Sequence, residues 1–499
     1  MREKRLPPDT PLAIPPERFR QLGYELVDHI ADFLGSLPGR RVVPAKGPEE
    51  LRELLGGDAP LPEQGEDPGT LLGETARLLF DHSSFNAHPR FFGYITAPPA
   101  PIGVLGDLLA AAVNPNCGAW ILSPLATEIE AQTVRWIAEL IGYPRPCGGL
   151  LVSGGNLANF TAFLAARVAA ASAQVREGGL AAAGAPLVVY ASAETHTWIQ
   201  KAADLFGLGT EAIRWVPTDQ ELRMDVSALR GAIADDLGAG RRPLMVVGTA
   251  GSVSTGAVDP LHAIADVCRA RGIWFHVDGA YGGFAAAVPG AASELDGLAR
   301  ADSVAVDPHK WLYAPLEAGC VLVRDPAALR AAFAYHPPYY HFGVEATNYV
   351  DYGLQNSRGF RALKVWLALR QVGRQGYLRM IGDDLALARR LREQVAAHPE
   401  LEPLTHALSI TTFRYVPEDL RRRVGDAATE EHLNRLNQAL LDRLQKDGEA
   451  FVSNAVIRGR YALRACIVNF NTTVADVDAL PGIVAQSGRW IDHELRPKE

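Results

Sequence analysis

Apolar side chains recur at helical spacing near the start of the chain. After a Pro-Pro pair, which is typical of a helix start, they return every three or four residues from Phe19 to Leu34 and predict a helix with one broad apolar face. Residues 40–70 are rich in Pro, Gly and Glu, which indicates a linker or short helices. We therefore predict an N-terminal helical arm over residues 1–85 that packs on a partner subunit.

Short apolar runs alternate with helical patterns in the middle of the chain. The runs cover residues 186–190, 212–216, 244–247, 273–277, 303–306 and 320–323. Continuous apolar strands separated by helices are typical of a mostly parallel sheet that is covered on both faces. We predict a large domain over residues 86–375. The long helical pattern from Phe360 to His398 and the mixed elements after it predict a smaller C-terminal α+β domain over residues 376–499.

The composition narrows the class of protein. A chain of 499 residues with 48% hydrophobic side chains can bury a large interior. Its net charge of -8, from 49 basic and 57 acidic residues, argues against a nucleic-acid or anionic-membrane partner. No run of eighteen uncharged apolar residues predicts a membrane span. Five scattered cysteines without a Cys-x-x-Cys pair favour a reducing cytoplasm and predict neither disulfides nor a metal site.

Two motifs at the ends of apolar runs carry the clearest chemistry. Asp278 ends one run, and Lys310 follows another in the segment Asp307-Pro308-His309-Lys310. The carboxyl ends of parallel strands share one sheet edge, so these two side chains can meet there. Pyridoxal phosphate needs a lysine amine for a Schiff base and a carboxylate that keeps its pyridine nitrogen protonated. The pairing therefore predicts an enzyme that uses this cofactor.

Two further segments support the same cofactor. Ser153-Gly154-Gly155-Asn156 turns on its glycines into a predicted helix, whose N-terminus can hold a phosphate. His196 follows another strand, where its imidazole can lie on a pyridine ring. Taken singly, these residues have ordinary explanations: a turn that opens a helix, a loop histidine, a helix cap at Asp278 or a surface lysine at Lys310. Their joint order along the chain favours pyridoxal phosphate.

Six motifs together carry a family resemblance. They are Ser153–Asn159, Glu194–His196, Ser254–Pro260, His276–Gly283, Asp307–Leu312 and Phe360–Trp366, with His88–Tyr94 and Ser123–Glu130 as substrate-side segments. This set resembles the group II pyridoxal-phosphate decarboxylases, close to the aromatic-L-amino-acid decarboxylases, over nearly the whole chain. The resemblance implies the α/β, type I (aspartate aminotransferase-like) fold with a mostly parallel sheet of the seven-stranded type. It also implies a homodimer whose active sites lie at the subunit interface.

The resemblance assigns roles to the motif residues. Gly154, Gly155, Asn156 and His309 would hold the phosphate, Thr249 and Asp278 the ring nitrogen side, Ala280 and His196 the two ring faces, and Lys310 the Schiff base, with Asp307 among the cofactor contacts. Lys310, His196, Asp278 and Tyr339 are the predicted catalytic residues. Tyr339 lies in His336–His341 and would protonate Cα after carbon dioxide leaves, with Tyr340 as the alternative donor.

The predicted reaction converts an L-amino acid, of the tyrosine, DOPA, phenylalanine or tryptophan type, to its amine and carbon dioxide. One alternative is an aromatic aldehyde synthase, which couples decarboxylation to oxidative deamination. Another is a decarboxylase of a non-aromatic amino acid such as glutamate or histidine. The segment from His88 to Glu130 argues against an aminotransferase or a carbon–sulfur lyase, and the presence of Lys310 and Asp278 argues against a non-enzymatic binding protein.

Three departures from the family pattern stand out. Asn156 replaces a common Ser or Thr, so the phosphate contact runs through an amide or the backbone alone. Cys117-Gly118-Ala119 stands where relatives often carry a bulky residue facing the substrate ring, which predicts a roomier pocket. Arg358-Gly359 replaces the commoner Arg-Arg. These positions leave the substrate side chain open.

Overall fold

The computed structural model describes residues 10–44, 46–171, 174–337 and 346–496. The α-helices are α1 (Pro16–Ser36), α2 (Pro48–Leu54), α3 (Pro68–His82), α4 (Pro101–Val113), α5 (Pro124–Leu140), α6 (Gly155–Ala171), α7 (Val175–Gly178), α8 (Trp198–Leu205), α9 (Val226–Gly238), α10 (Leu261–Arg271), α11 (Pro308–Trp311), α12 (Pro326–Phe333), α13 (Ala362–Ala397), α14 (Ala427–Asp447) and α15 (Val474–Leu495). The strands are β1 (Gly148–Val152), β2 (Leu187–Ser192), β3 (Ile213–Val216), β4 (Arg242–Thr249), β5 (Trp274–Asp278), β6 (Ser303–Val306), β7 (Gly319–Val323), β8 (Leu401–Ala407), β9 (Ile410–Tyr415), β10 (Ser453–Ile457) and β11 (Arg460–Cys466).

Local sequence explains where the helices begin. Many of them carry proline in the first turn, where its missing N–H costs no hydrogen bond. Asp67 caps α3 by accepting hydrogen bonds from the N–H groups of Gly69 (2.9 Å) and Thr70 (3.0 Å). Asp225 caps α9 in the same way. These signals fix the element starts before any long-range packing is considered.

The large sheet contains seven of the described strands, in the order β1-β7-β6-β5-β4-β2-β3. The pairs from β6 to β3 are parallel, whereas β7 is antiparallel to both β6 and β1. Nearly every residue of the central strands is buried, as expected for a sheet that helices cover on both faces. The predicted α/β class with a mostly parallel sheet is confirmed.

A smaller antiparallel sheet follows, in the order β10-β11-β9-β8, and packs with α13, α14 and α15. Helix α13 contains one non-helical residue, Gly373, whose φ of 66° marks a kink. The domain boundary predicted at residue 375 lies within this helix. The division into residues 1–85, 86–375 and 376–499 stays a prediction.

The N-terminal helices pack on each other but leave apolar side chains in solvent. Phe33 of α1 stacks on Phe80 of α3 with ring centroids 4.3 Å apart. Near the N-terminus of α1, Phe19 is 61% exposed. The broad apolar face of α1 is therefore only partly covered within this chain. Among the described helices, none combines the length and apolar character that crossing a membrane requires.

Candidate active site

The carboxyl ends of the central strands meet at one edge of the large sheet and open into a cavity. Across neighbouring strands, Thr249 pairs with Asp278, and Asp278 pairs with Ala305. The cavity has a volume of about 500 Å³. All ten residues predicted to bind the cofactor line it: Gly154, Gly155, Asn156, His196, Thr249, Asp278, Ala280, Asp307, His309 and Lys310. The structure thus brings them together, while their individual roles remain predictions.

The start of α6 forms the phosphate-sized end of the cavity. The first helical hydrogen bond runs from the Ala158 N–H to the Gly154 carbonyl, so the three preceding N–H groups have no helical acceptor. A Cβ on Gly155 would approach Asp307 Oδ2 to 2.9 Å, and one on Gly154 would lie 3.3 Å from His309 Cε1. The two glycines therefore keep open a space that N–H groups and a helix N-terminus face.

Asp278 ends β5 with both carboxylate oxygens already oriented. Its Oδ2 accepts a hydrogen bond from the indole Nε1 of Trp198 at 2.8 Å, and its Oδ1 accepts one from the N–H of Ala280 at 3.1 Å. Trp198 is fully buried and packs edge-on against His276. Because donors on the protein hold this carboxylate, it can present its remaining lone pairs to a protonated ring nitrogen.

Lys310 lies beside a buried carboxylate. Its Nζ is 2.9 Å from Oδ2 of Asp307, and His309 Nε2 is 3.4 Å from the same oxygen. His309 Nδ1 accepts a hydrogen bond from the Ala318 N–H at 3.1 Å, which leaves the Nε2 position to carry the proton of the neutral ring. Burial lowers the pKa of His309, an effect that Asp307 partly opposes.

Thr249 ends β4, the strand beside the one that carries Asp278, and His196 lies in the loop after β2. The backbone N–H of Thr249 donates to Oδ2 of Asp259 at 2.8 Å, and the Met224 N–H donates to Oδ1 of the same residue at 2.7 Å. Burial raises the pKa of Asp259 to about 6. His196 is exposed at the mouth of the cavity, and partial desolvation lowers its pKa. Asp259 thus fixes Thr249. His196 Nδ1 accepts a hydrogen bond from the Trp198 N–H at 3.3 Å, and the ring stays at the cavity mouth, where it can cover a bound group.

The sequence reasoning gave no role to several residues that complete the site. Trp198 and Asp259 act on predicted residues through hydrogen bonds, and Ile95, Phe160 and Val253 add apolar surface to the cavity. Asp259 lies within the Ser254–Pro260 motif, and Trp198 follows the Glu194–His196 motif by two residues. Their positions directly after a strand-end loop were the available signal.

A buried ion pair lies behind the strand that leads into the glycine turn. Arg358 donates to both carboxylate oxygens of Glu130, at 2.5 and 3.1 Å, and also to the Leu151 carbonyl at 2.6 Å. The backbone of Arg358 pairs with that of Cys117. At the neighbouring Gly118, a Cβ would come within 2.1 Å of the Asn356 carbonyl. The glycine is therefore required by close backbone packing, and the roomier pocket stays a prediction.

Tyr339 and Tyr340 lie outside the described residues, in the segment 338–345. The described residues on either side are tied together, since His336 Nε2 lies 3.1 Å from Asp351 Oδ1. The proposed proton donor therefore stays a prediction from the sequence.

The residues present fit pyridoxal phosphate. The open glycine turn with free N–H groups suits a phosphate, the held Asp278 suits a pyridinium, and Lys310 supplies the amine. In addition, the buried Oδ1 of Asp307 has no hydrogen-bond partner among the described residues, which a bound polar group would relieve. No group of three or more His, Cys, Asp or Glu side chains in the described ranges could hold a metal ion.

Comparisons with known proteins identify the same chemistry. Residues 48–416 match the model of the pyridoxal-dependent decarboxylase conserved domain. An aromatic-L-amino-acid decarboxylase of Bacillus atrophaeus is 34% identical over 93% of this chain and 94% of its own length. A phenylacetaldehyde synthase of Petunia hybrida is 31% identical over 91% and 90%. The crystal structure of Oryza sativa TDC with PLP and tryptamine superposes with a TM-score of 0.88 at 30% identity, covering 97% of this chain and 99% of that one.

Proposed function

This chain belongs to the pyridoxal-dependent decarboxylase family and is a pyridoxal-phosphate-dependent carboxy-lyase; we propose that its substrate is an aromatic L-amino acid, which it converts to the amine and carbon dioxide. The observation that carries the site assignment is the convergence of all ten predicted cofactor residues on one cavity. When bound, pyridoxal phosphate supplies a ring that accepts the electron pair left behind as carbon dioxide departs.

The residues proposed to bind the cofactor have definable tasks. The N–H groups at the start of α6, together with Asn156 and His309, would bind the phosphate. Asp278, held by Trp198, would keep a proton on the ring nitrogen, and Lys310 would provide the attachment point. His196 would cover a bound ring and exclude water. A cofactor held by these residues would fix the direction of the substrate's Cα–carboxylate bond. This orientation is the main contribution that binding geometry makes to such a reaction.

The charge of the cavity favours an aromatic side chain over an acidic one. Among the described residues that line it, Lys310 is the only lysine or arginine, and it serves the cofactor. Glu317, at the rim, is paired with Arg361 at 2.8 Å. Ile95 and Phe160 offer apolar surface instead. A glutamate side chain would thus enter without a counter-charge, whereas an aromatic ring would gain contact.

We propose Tyr339 as the group that delivers a proton to Cα, with Tyr340 as the alternative. An aldehyde synthase remains the second candidate function, because a phenylacetaldehyde synthase aligns with 91% of this chain at 31% identity. The presence of both His196 and a tyrosine at position 339 favours the amine as product.

We also propose a homodimer whose active sites lie at the subunit interface. Apolar side chains of α4 are exposed in the single chain: Leu105 at 52%, Leu108 at 56%, Leu109 at 54% and Val113 at 67%. Phe19 on α1 is also exposed, and exposed apolar side chains that cluster on one helix, as those of α4 do, are typical of an interface. Light scattering of the purified protein should give twice the chain mass, and Leu108→Glu should shift it toward the monomer.

A reducing, cytoplasmic location is proposed on the state of the cysteines. All five are separate thiols, and burial raises the pKa of Cys117 to about 11. Such thiols stay protonated and unreactive at neutral pH. Cell fractionation with detection of the untagged protein tests this location.

Product analysis tests the function. The protein loaded with pyridoxal phosphate is incubated with a pool of L-amino acids plus DOPA and 5-hydroxytryptophan, and amine, aldehyde and keto acid are quantified for each. The proposal predicts an aromatic amine as the main product, lost in Lys310→Ala. A dominant aldehyde would move the function to the synthase, and a dominant amine from glutamate or histidine would overturn the aromatic assignment.

A further inference from the structure

A single buried carboxylate lies behind the turn that carries Lys310. Asp384, on α13, accepts two hydrogen bonds at its Oδ2 atom: one from Trp311 Nε1 at 2.9 Å and one from the Tyr313 hydroxyl at 2.8 Å. All three side chains are at least 98% buried. These donors follow Lys310 by one and three residues, so the Asp384 carboxylate holds the chain directly after the lysine.

Helix α13 provides a third contact to the same turn. The hydroxyl of Tyr377, seven residues before Asp384, donates to the Leu312 carbonyl at 3.2 Å. Seven residues correspond to two helical turns, which places both side chains on one face of α13. Each of the three residues after Lys310 therefore has one polar contact with this helix.

The turn needs such support because its backbone is strained. Tyr313 has a φ of 53°, a left-handed conformation that is unfavourable for a non-glycine residue. The ring of Trp311 also stacks on Tyr281 with centroids 4.8 Å apart. Tyr281 in turn lines the cavity. A movement of this turn would therefore displace both Lys310 and Tyr281.

We propose that Asp384 is a positioning residue for Lys310, which fixes the turn from Trp311 to Tyr313 and so holds the lysine amine where the cofactor binds. The inference rests on the role proposed above for Lys310. Asp384 does not line the cavity. It acts through its hydrogen bonds with Trp311 and Tyr313. Helix α13, which packs with the small sheet, thereby helps to shape the cofactor site.

The burial of this carboxyl group is an independent reason to expect a functional role. Its surroundings raise the pKa of Asp384 to about 7, mainly by desolvation, although Tyr313 and Trp311 donate to it and the Asn469 N–H lies 3.4 Å away. The neighbouring Asp383 adds a second negative charge. A buried acid of this kind lowers stability at neutral pH, where a neutral side chain would not.

Three variants test the proposal by their affinity for pyridoxal phosphate and by the visible absorbance band of the bound cofactor. Asp384→Ala removes the acceptor, Asp384→Asn keeps an acceptor oxygen without the charge, and Asp383→Asn is the matched control on the adjacent exposed carboxylate. We expect Asp384→Ala to weaken cofactor affinity roughly tenfold and to lower kcat more than it raises KM. Asp384→Asn should restore affinity to within about twofold, and the control should match the native protein.

A merely structural role predicts a different pattern. Asp384→Ala would then have a lower melting temperature but native cofactor affinity, absorbance band and kcat, and that result would overturn the proposal. If this variant does not fold, Trp311→Phe removes only the indole donor and keeps a ring against Tyr281. It should weaken affinity several-fold, and unchanged affinity would equally contradict the proposal.

The role of Lys310 is checked separately in the same titrations. A visible band in the native protein that Lys310→Ala lacks establishes the lysine, after which unchanged Asp384 variants would contradict the positioning role alone. A native protein that binds pyridoxal phosphate but gives the same spectrum as Lys310→Ala would overturn both the lysine's role and the inference built on it.

Discussion

Trp198 donates its indole N–H to Oδ2 of Asp278 across 2.8 Å in a fully buried position. Asp278 ends β5, and its other carboxylate oxygen, Oδ1, accepts a hydrogen bond from the Ala280 N–H. The orientation of the acid that is proposed to face the cofactor ring is therefore set by the first residue of α8. A hydrogen bond to a charged group is stronger than one between neutral groups.

Trp198→Phe tests the importance of this hydrogen bond. The substitution keeps an aromatic ring but removes the donor, so we expect affinity for pyridoxal phosphate to fall by roughly tenfold, as for the loss of one hydrogen bond to a charged group. The measurement is a titration of the apoprotein with the cofactor. Trp366→Phe is the control, because it removes an indole donor to Gln132 away from the cavity. Equal affinities in both variants would show that Trp198 does not govern Asp278.

Removing one partner of the buried Glu130–Arg358 pair is predicted to be strongly destabilising. Both side chains are at most 1% exposed, so Glu130→Ala leaves an uncompensated buried charge and should lower the free energy of unfolding by about 3–5 kcal/mol. Urea denaturation measures this change. Glu139→Ala, on the exposed end of the same helix, breaks only a surface pair with Arg145 and should leave stability almost unchanged. Similar small losses in both variants would contradict the account.

Asp384 predicts a specific pH dependence of stability. Its folded pKa of about 7 lies above the ordinary value of 3.8, so the folded state binds a proton that the unfolded chain has released between these values. Folded stability therefore falls as pH rises from about 4 to 7 through this group. The difference in melting temperature between Asp384→Asn and the native protein should shift in favour of the variant by several degrees from pH 5 to pH 8. A constant difference across this range would show that the carboxyl titrates normally.

Tyr339→Phe should divert product from amine to aldehyde. Without the phenol, Cα is protonated more slowly and stays open to an oxidant such as dissolved oxygen. Chromatography of both products from one incubation measures the ratio, and Tyr340→Phe is the matched control. Diversion by the Tyr340 variant alone would make Tyr340 the proton donor.

Much of the fold was accessible from the sequence, for local reasons. Apolar runs such as 303–306 and 244–247 are buried on both faces, so their composition alone indicated central parallel strands, and the predicted α/β class is confirmed. Strand ends in a parallel sheet share an edge, so the sequence alone places Asp278 and Lys310 together.

The remaining parts of the site depend on contacts between distant segments. Trp198 and Asp278 are 80 residues apart, and Trp311 and Asp384 are 73 apart. No periodicity or motif spacing relates such pairs. Arg358 illustrates the same limit: the sequence shows only that Arg358-Gly359 departs from the family's Arg-Arg, whereas the Arg358 side chain lies in the buried pair with Glu130.

Borohydride labelling tests the central claim most directly. Sodium borohydride reduces a carbon–nitrogen double bond to a stable amine, so the protein is loaded with pyridoxal phosphate, reduced, digested and mapped by mass spectrometry. The account predicts one pyridoxyl phosphate group on the peptide that contains Lys310, and no label in Lys310→Ala. A label on Lys201 or Lys364, or an unlabelled protein, would contradict the assignment of this cavity as the active site.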